Sequence, residues 1–200
     1  MTVFRHAEFI SASIALCVML NLFQHLTKMI CRFFIETEEL GMIILYHGSN
    51  QSVENPKILE SKRALDFGAG FYLTSSINQA EKWAKSVTLR RGTGISLINI
   101  FEFNDDINDL KVLKFDSANG DWLDFVVKNR TKIPFTENYD LIIGPVANDS
   151  TLPVINDYID GKYTKEEAIN HLLPQNLKDQ FTFVTEKALK CLKFTGVKEI

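Results

Sequence analysis

Two stretches of this chain combine groups able to do chemistry with glycines that let another molecule come close. One is Tyr46-His47-Gly48-Ser49 and the other is Asp66-Phe67-Gly68-Ala69-Gly70-Phe71-Tyr72-Leu73-Thr74. A strand interior tolerates glycine poorly unless a backbone or a ligand must approach it, so the pattern predicts a bound molecule. A third part, a late strand that begins with Gln180, completes the arrangement. The common catalytic templates fail. Gly68 and Gly70 are not a dinucleotide fingerprint, because Leu73 takes the third glycine position and the strand follows the glycines. No Walker lysine follows, and there is no G-x-S-x-G, no H-E-x-x-H and no paired His for a metal. Each residue also has an ordinary reading: His47 as a polar strand end, Tyr72 as core, Trp83 as helix packing.

The elements that must position these groups follow from apolar spacing. Residues 42–47 form a short apolar run suited to a buried strand, broken by Gly48-Ser49-Asn50. Residues 51–63 read as an irregular crossover and 70–74 as a second strand. Ser75 or Ser76 is expected to cap a helix through Ala84, with Ala80, Trp83 and Ala84 on one face. Further strands are expected at 95–103, 139–145 and 181–184, and helices at 122–130, 154–158, 164–173 and 186–192. Thr164 and Glu167 have capping-box spacing, Pro174 stops that helix, and Thr185 caps the last one, with Cys191 on its apolar side. Short strands mixed with helices, without strict βαβ repetition, predict an α+β fold.

Composition narrows the class. At 200 residues, 46% hydrophobic and 24% charged, the chain has the balance of one globular domain with some extra. A net charge of −3 and a pI near 5.8 give no footprint for nucleic acid or an anionic membrane. The basic cluster at 85–91 reads as a solvated helix end. Cys17, Cys31 and Cys191, without a C-x-x-C, argue for a reducing, cytoplasmic setting. Residues 1–41 differ from the rest. Their apolar run at 9–23 falls short of the roughly 18 to 20 residues of a membrane span. Glu8 and the lack of a cleavage site argue against a signal peptide. The wording at 4–13 and 21–28 resembles translated intergenic repeats fused to a reading frame by an over-long start, so the working protein is expected to begin at Met42. Otherwise 1–41 is a disordered or helical appendage. His6 and His25 receive no role.

Residues 45–49, 66–74, 79–84, 139–149 and 179–183, in that order, resemble the ADP-ribosyltransferase superfamily, in the branch of the poly-ADP-ribose polymerases and diphtheria toxin with its His-Tyr-Glu site. More narrowly the chain is similar to the bacterial DUF3990 family. The resemblance runs from Met42 to the C-terminus. It implies small split β-sheets that form an NAD-binding cleft with flanking helices. It implies a mono-ADP-ribosyltransferase with NAD as co-substrate and no metal. The backbone of Gly48, with Ser49 beside it, would hold the nicotinamide carboxamide, and His47 would bond a ribose hydroxyl on the adenosine side. Tyr72 would stack on the nicotinamide, Trp83 would close its other face, and Gly68 and Gly70 would let the backbone approach. Such small bacterial families are often toxins or effectors, which implies a cognate antitoxin as partner. The acceptor is left open among protein, nucleic acid and small molecule. Asn148 and Asp149 are secondary candidates for lining the cleft, or serve their own turn.

The third position departs from the family pattern, with Gln180 where the best-studied members have Glu. A period of two groups Gln180, Thr182 and Val184 opposite Phe181 and Phe183. Gln180 can accept a hydroxyl's hydrogen bond, but it brings no charge. A carboxylate about 5 Å from an oxocarbenium is worth roughly 3 kcal/mol at an effective dielectric near 20, about a hundredfold in rate. Asp179 reads as lying on the wrong face and Glu186 as beyond the strand. Two functions stay open: a transferase, and an NAD-binding or partner-binding module of the same fold that has lost turnover.

Overall fold

A computed structural model describes residues 42–58, 65–104, 107–132, 138–147, 150–175 and 177–200. All of these lie in one compact unit, Met42–Ile200. The expectations for 1–41, including a start at Met42, and those for Asn148 and Asp149 lie outside the described residues.

The chain enters on β1 (Met42–Ser49), crosses irregularly, and forms β2 (Phe71–Leu73). Helix α1 (Ile77–Arg91) follows and ends at Gly92, whose φ of 66° lies in the left-handed region that favours glycine at a helix end. Next come β3 (Leu97–Asn104), β4 (Val112–Lys114) and α2 (Gly120–Arg130). Asn119 caps α2 by accepting the Trp122 N–H. β5 (Leu141–Pro145), α3 (Leu152–Ile159) and α4 (Lys165–Leu172) lead to β6 (Asp179–Phe183), and α4 starts on the Thr164–Glu167 capping box. The short α5 (Glu186–Leu189), capped by Thr185, turns the chain into β7 (Leu192–Glu199).

The strands form two small separate sheets. One is antiparallel in the order β1-β3-β7, and the other has the order β2-β6-β5-β4 with β4 and β5 parallel. With five helices among the described residues, the fold is α+β.

The sequence reading differs from this at two places. The helix expected at 186–192 stops at Leu189 and residues 192–199 are a strand, so Cys191 sits in the link and is only partly buried. β7 is an edge strand with mostly exposed alternate positions, and its Lys193, Gly196 and Lys198 blur the apolar alternation that marks a covered strand. β4 has three residues and falls in a stretch where no element was expected.

Two apolar clusters hold the sheets. Leu45, Phe71, Leu73, Phe101, Phe103, Phe181 and Phe183 pack together, with Phe103 and Phe183 edge to face at 5.3 Å and 86°. Phe67, Trp122, Leu123, Val126, Ile142, Ile155 and Leu172 form the other cluster, where α2, α3 and α4 cover the opposite face of β5. Alternation along β2 and β6 thus sends Phe71, Leu73, Phe181 and Phe183 into one cluster and Tyr72 and Val184 against the other.

Helix α1 lies directly on β1 through Ala80, Ala84 and Val87. A Cβ at Gly48 would come 2.1 Å from the Ala80 carbonyl oxygen and 2.7 Å from the Ala84 nitrogen, so only glycine admits this contact.

Candidate functional site

Among the described residues, the backbones of the two sheets join at a single rung. Tyr46 N–H donates to the Thr74 carbonyl at 2.9 Å, and Thr74 N–H donates back to Tyr46 at 3.0 Å. Backbone groups of alternate residues face the same strand edge. Gly48 therefore turns its N–H and C=O toward the edge that Tyr46 uses, and Tyr72 turns its own toward the edge that Thr74 uses. The next antiparallel rung would join Gly48 to Tyr72, but it does not form. His47 Nδ1 takes the Tyr72 carbonyl instead, at 2.8 Å. The edge groups of Gly48, which is buried against α1, are thus left without a rung.

His47 is fixed by this bond. A carbonyl can only accept, so Nδ1 carries the proton and the neutral ring keeps a lone pair on Nε2. Burial pushes the imidazole below its ordinary pKa, the bond to Tyr72 opposes this, and the charge of Arg91 lowers it further. The ring lies against Phe71, with centroids 4.5 Å apart. Below it, fully buried Asn99 accepts the Val53 N–H at 2.7 Å and donates to the carbonyls of His47 and Gln51, both at 3.3 Å. Arg91 donates to Asn50 Oδ1 at 2.7 Å. A depression of about 410 Å³, lined by Gln51, Ser52, Val53, Glu54, Asn55 and Lys57, follows the end of β1.

Tyr72 leaves β2 on the side opposite Phe71 and the His47 ring. Its hydroxyl donates to the Gly68 carbonyl at 2.5 Å. Burial, then the charge of Asp66, pushes the phenol far above its usual range, so it stays a committed donor. Asp66 is paired with Arg130 of α2, whose Nε and Nη2 reach Oδ1 at 2.8 and 2.5 Å. Burial raises the Asp66 carboxyl, and Arg130 opposes the rise. Thr182 stands across the ladder from Tyr72, close enough to influence its phenol but without a well-formed hydrogen bond. Gln180 is on the same face of β6 as Thr182 and is 7% exposed. Its Nε2 and Thr182 Oγ1 are the two buried side-chain polar atoms without a partner among the described residues.

The expected triad is thus brought together in part. His47 Nδ1 donates to the backbone carbonyl of Tyr72 while the two rings lie on opposite sides of β2, and Gln180 shares the face of Tyr72. Trp83 is not on the buried face with Ala80 and Ala84. It is 52% exposed, with the Arg90 guanidinium 5.5 Å from its ring, because it sits to one side of the stripe made by Ala80, Ala84 and Val87. A Cβ at Gly70 would meet Thr182 Cγ2 at 2.6 Å and the Phe183 carbonyl oxygen at 2.9 Å, so its missing side chain makes room for β6. Ser49 is buried beside Gly48.

The start of α1 also departs from expectation. Ser76 holds the N-cap position, yet its side chain makes no capping bond. Thr74 Oγ1 accepts the Ser76 N–H instead, at 3.1 Å. Asp179, at the start of β6, accepts from Thr74 Oγ1 at 3.0 Å, Ser75 N–H at 2.9 Å and Ser75 Oγ at 2.5 Å. Asp179 and Asn99 are the positioning residues that the sequence reading missed. The cue for Asp179 was its place next to Gln180, but its partners lie 104 and 105 residues away.

Two small sheets, joined by a backbone rung next to a His-Gly pair, define an α+β protein. The family described as a protein of unknown function (DUF3990) matches residues 43–194, and the chain belongs to that family. No curated protein and no solved structure matches it. No helix among the described residues is long and apolar enough to cross a membrane.

Proposed function

We propose that this protein is an NAD-dependent mono-ADP-ribosyltransferase whose nicotinamide sits at the unpaired strand edge of Gly48. The observation that carries the reading is the missing rung between Gly48 and Tyr72. A strand edge that offers one N–H and one C=O from the same residue is complementary to a primary carboxamide, which presents one C=O and one N–H. His47 Nε2, neutral and unprotonated, is suited to accept a ribose hydroxyl. Trp83 and the ring of Tyr72 supply flat surfaces for stacking.

In the reaction the bond from the ribosyl carbon C1′ to the nicotinamide nitrogen breaks and its electron pair leaves with neutral nicotinamide. The acceptor nucleophile then bonds to C1′, giving up a proton if it carries one. A cognate antitoxin protein belongs to this proposal as a partner. A second reading, an NAD-binding module without turnover, is favoured by Gln180, which offers no charge to the developing cation.

Incubating the full chain with NAD labelled in the adenosine half, together with a cell lysate, tests both. Label transfer with nicotinamide release, lost in His47→Ala, supports the enzyme. Saturable NAD binding without nicotinamide release supports the module, and absence of NAD binding removes both readings.

A further inference from the structure

Helix α1 turns an unexpected surface to solvent. Its buried stripe is Ala80, Ala84 and Val87, so the outward side should be polar throughout. Leu89 instead stands there 86% exposed, with Trp83 half exposed at the flank. One exposed leucine needs no explanation, but the placing of these two residues does. Ser86, exposed and small, has Lys82 and Trp83 four and three residues before it and Leu89 and Arg90 three and four residues after it. Those positions adjoin on a helix surface, so a short side chain lies at the centre of a patch with two apolar and two basic walls.

The charges of this patch are unanswered. Of the four cations of α1, Lys85 pairs at 2.6 Å with Glu81, the one carboxylate of the helix. Arg91 is held by neutral Asn50, Arg90 lies over the Trp83 ring, and Lys82 meets no carboxylate among the described residues. Arg90 and Arg91 complement the negative end of the helix, but Lys82 lies in its first half and gains nothing from that end. Elsewhere on the surface Lys162, Lys165 and Lys193 each reach a carboxylate within 2.8 Å. The chain as a whole carries −3, so this face is a basic exception on an acidic molecule. A nucleic acid would be repelled by that net charge and would leave Leu89 unused, and a membrane needs a broader apolar face than two side chains. Tryptophan and arginine are the residues that most often anchor protein partners.

We propose that the outward face of α1 is a docking surface for an acidic segment of a partner protein. An apolar side chain of that segment sits over Ser86 between Trp83 and Leu89, and its carboxylates meet Lys82 and Arg90. Under the proposed function the same indole is offered to nicotinamide, so a segment seated here contends with NAD. The docking surface itself stands without the NAD reading.

The test selects binders of the full-length protein from a displayed library of random peptides. Affinities of the recovered peptides are then measured for the wild type, for Ser86→Arg, which fills the centre of the patch with a bulky cation, and for Arg90→Glu, which reverses one wall. Both positions are exposed, so the thermal midpoints are expected to match the wild type, and Leu89→Ser replaces either variant whose midpoint falls. The peptides are expected to be rich in Asp and Glu around an aromatic or aliphatic residue, to bind the variants about tenfold or more weakly, and to weaken as salt is raised. Recovery of no binders, of binders without net negative charge, or of binders that hold Ser86→Arg as tightly as the wild type overturns the proposal. It is also overturned if oligothymidylate, or vesicles of phosphatidylglycerol and phosphatidylcholine, bind the wild type more tightly than the peptides and lose that binding in Arg90→Glu. The surface then serves a nucleic acid or a membrane.

Discussion

His47 combines two features that usually fall to different residues: it stands in for a strand rung and it carries a neutral imidazole. Its Nδ1–H replaces a backbone rung, and burial keeps the ring neutral. Because the folded value lies below the ordinary 6.5, the folded protein binds fewer protons than the unfolded chain in the window just below that value. The stability this group contributes is present above the window and is lost as pH falls through it. Urea denaturation from about pH 7 down to about pH 5 should therefore show a shallower loss of stability in His47→Gln than in the wild type. Identical slopes would mean that the imidazole titrates alike in both states. His47 and Gly48 could be read from the sequence because a His-Gly pair at the end of an apolar run is a local signal. Asn99 could not, since an asparagine inside a strand discloses nothing until the loop at Gln51 and Val53 folds back on it.

Helix α1 shows how a correct element can rest on an unexpected cause. Serines before an apolar stripe announced a helix start, and the helix is there, but the carboxylate that steadies it comes from β6. Asp179→Ala should lower stability by about 2 kcal/mol, while Ser76→Ala should change it by less than about 0.5 kcal/mol, as read from denaturant midpoints. The reverse order would restore the serine cap. Gly48 makes the same point about packing. Gly48→Ala drives a methyl into the backbone of α1 and should cost about 3 kcal/mol or more, whereas Gly92→Ala, with nothing within 4 Å of its new Cβ, should cost only about 1 kcal/mol of left-handed strain. Strands buried on both faces, such as β5 and β6, stood out in the sequence because their apolar runs are dense. β7 was missed because an edge strand with lysines facing water carries no such run.

The unit from Met42 to Ile200 is two sheets packed through their phenylalanines and joined by a backbone rung at Tyr46 and Thr74, and under the proposed function that rung is where NAD would be felt. Hydrogen exchange should find the amides of Tyr46 and Thr74 slow and that of Gly48 fast in the ligand-free protein, with Gly48 slowing when NAD is added. A Gly48 amide already slow without NAD would mean that the edge is closed. The α+β class and most elements followed from periodicity, but the meeting of the sheets did not, since it depends on residues such as Tyr46 and Thr74 that pair across a long crossover. The two tryptophans divide along the same line. Trp122 is fully buried in the cluster under α2, while Trp83 is half exposed on α1 beneath Arg90. The chain thus carries two intrinsic fluorophores with separate duties: loss of the blue-shifted emission of Trp122 reports unfolding, and quenching of the red-shifted emission of Trp83 by iodide reports anything that comes to cover the α1 surface.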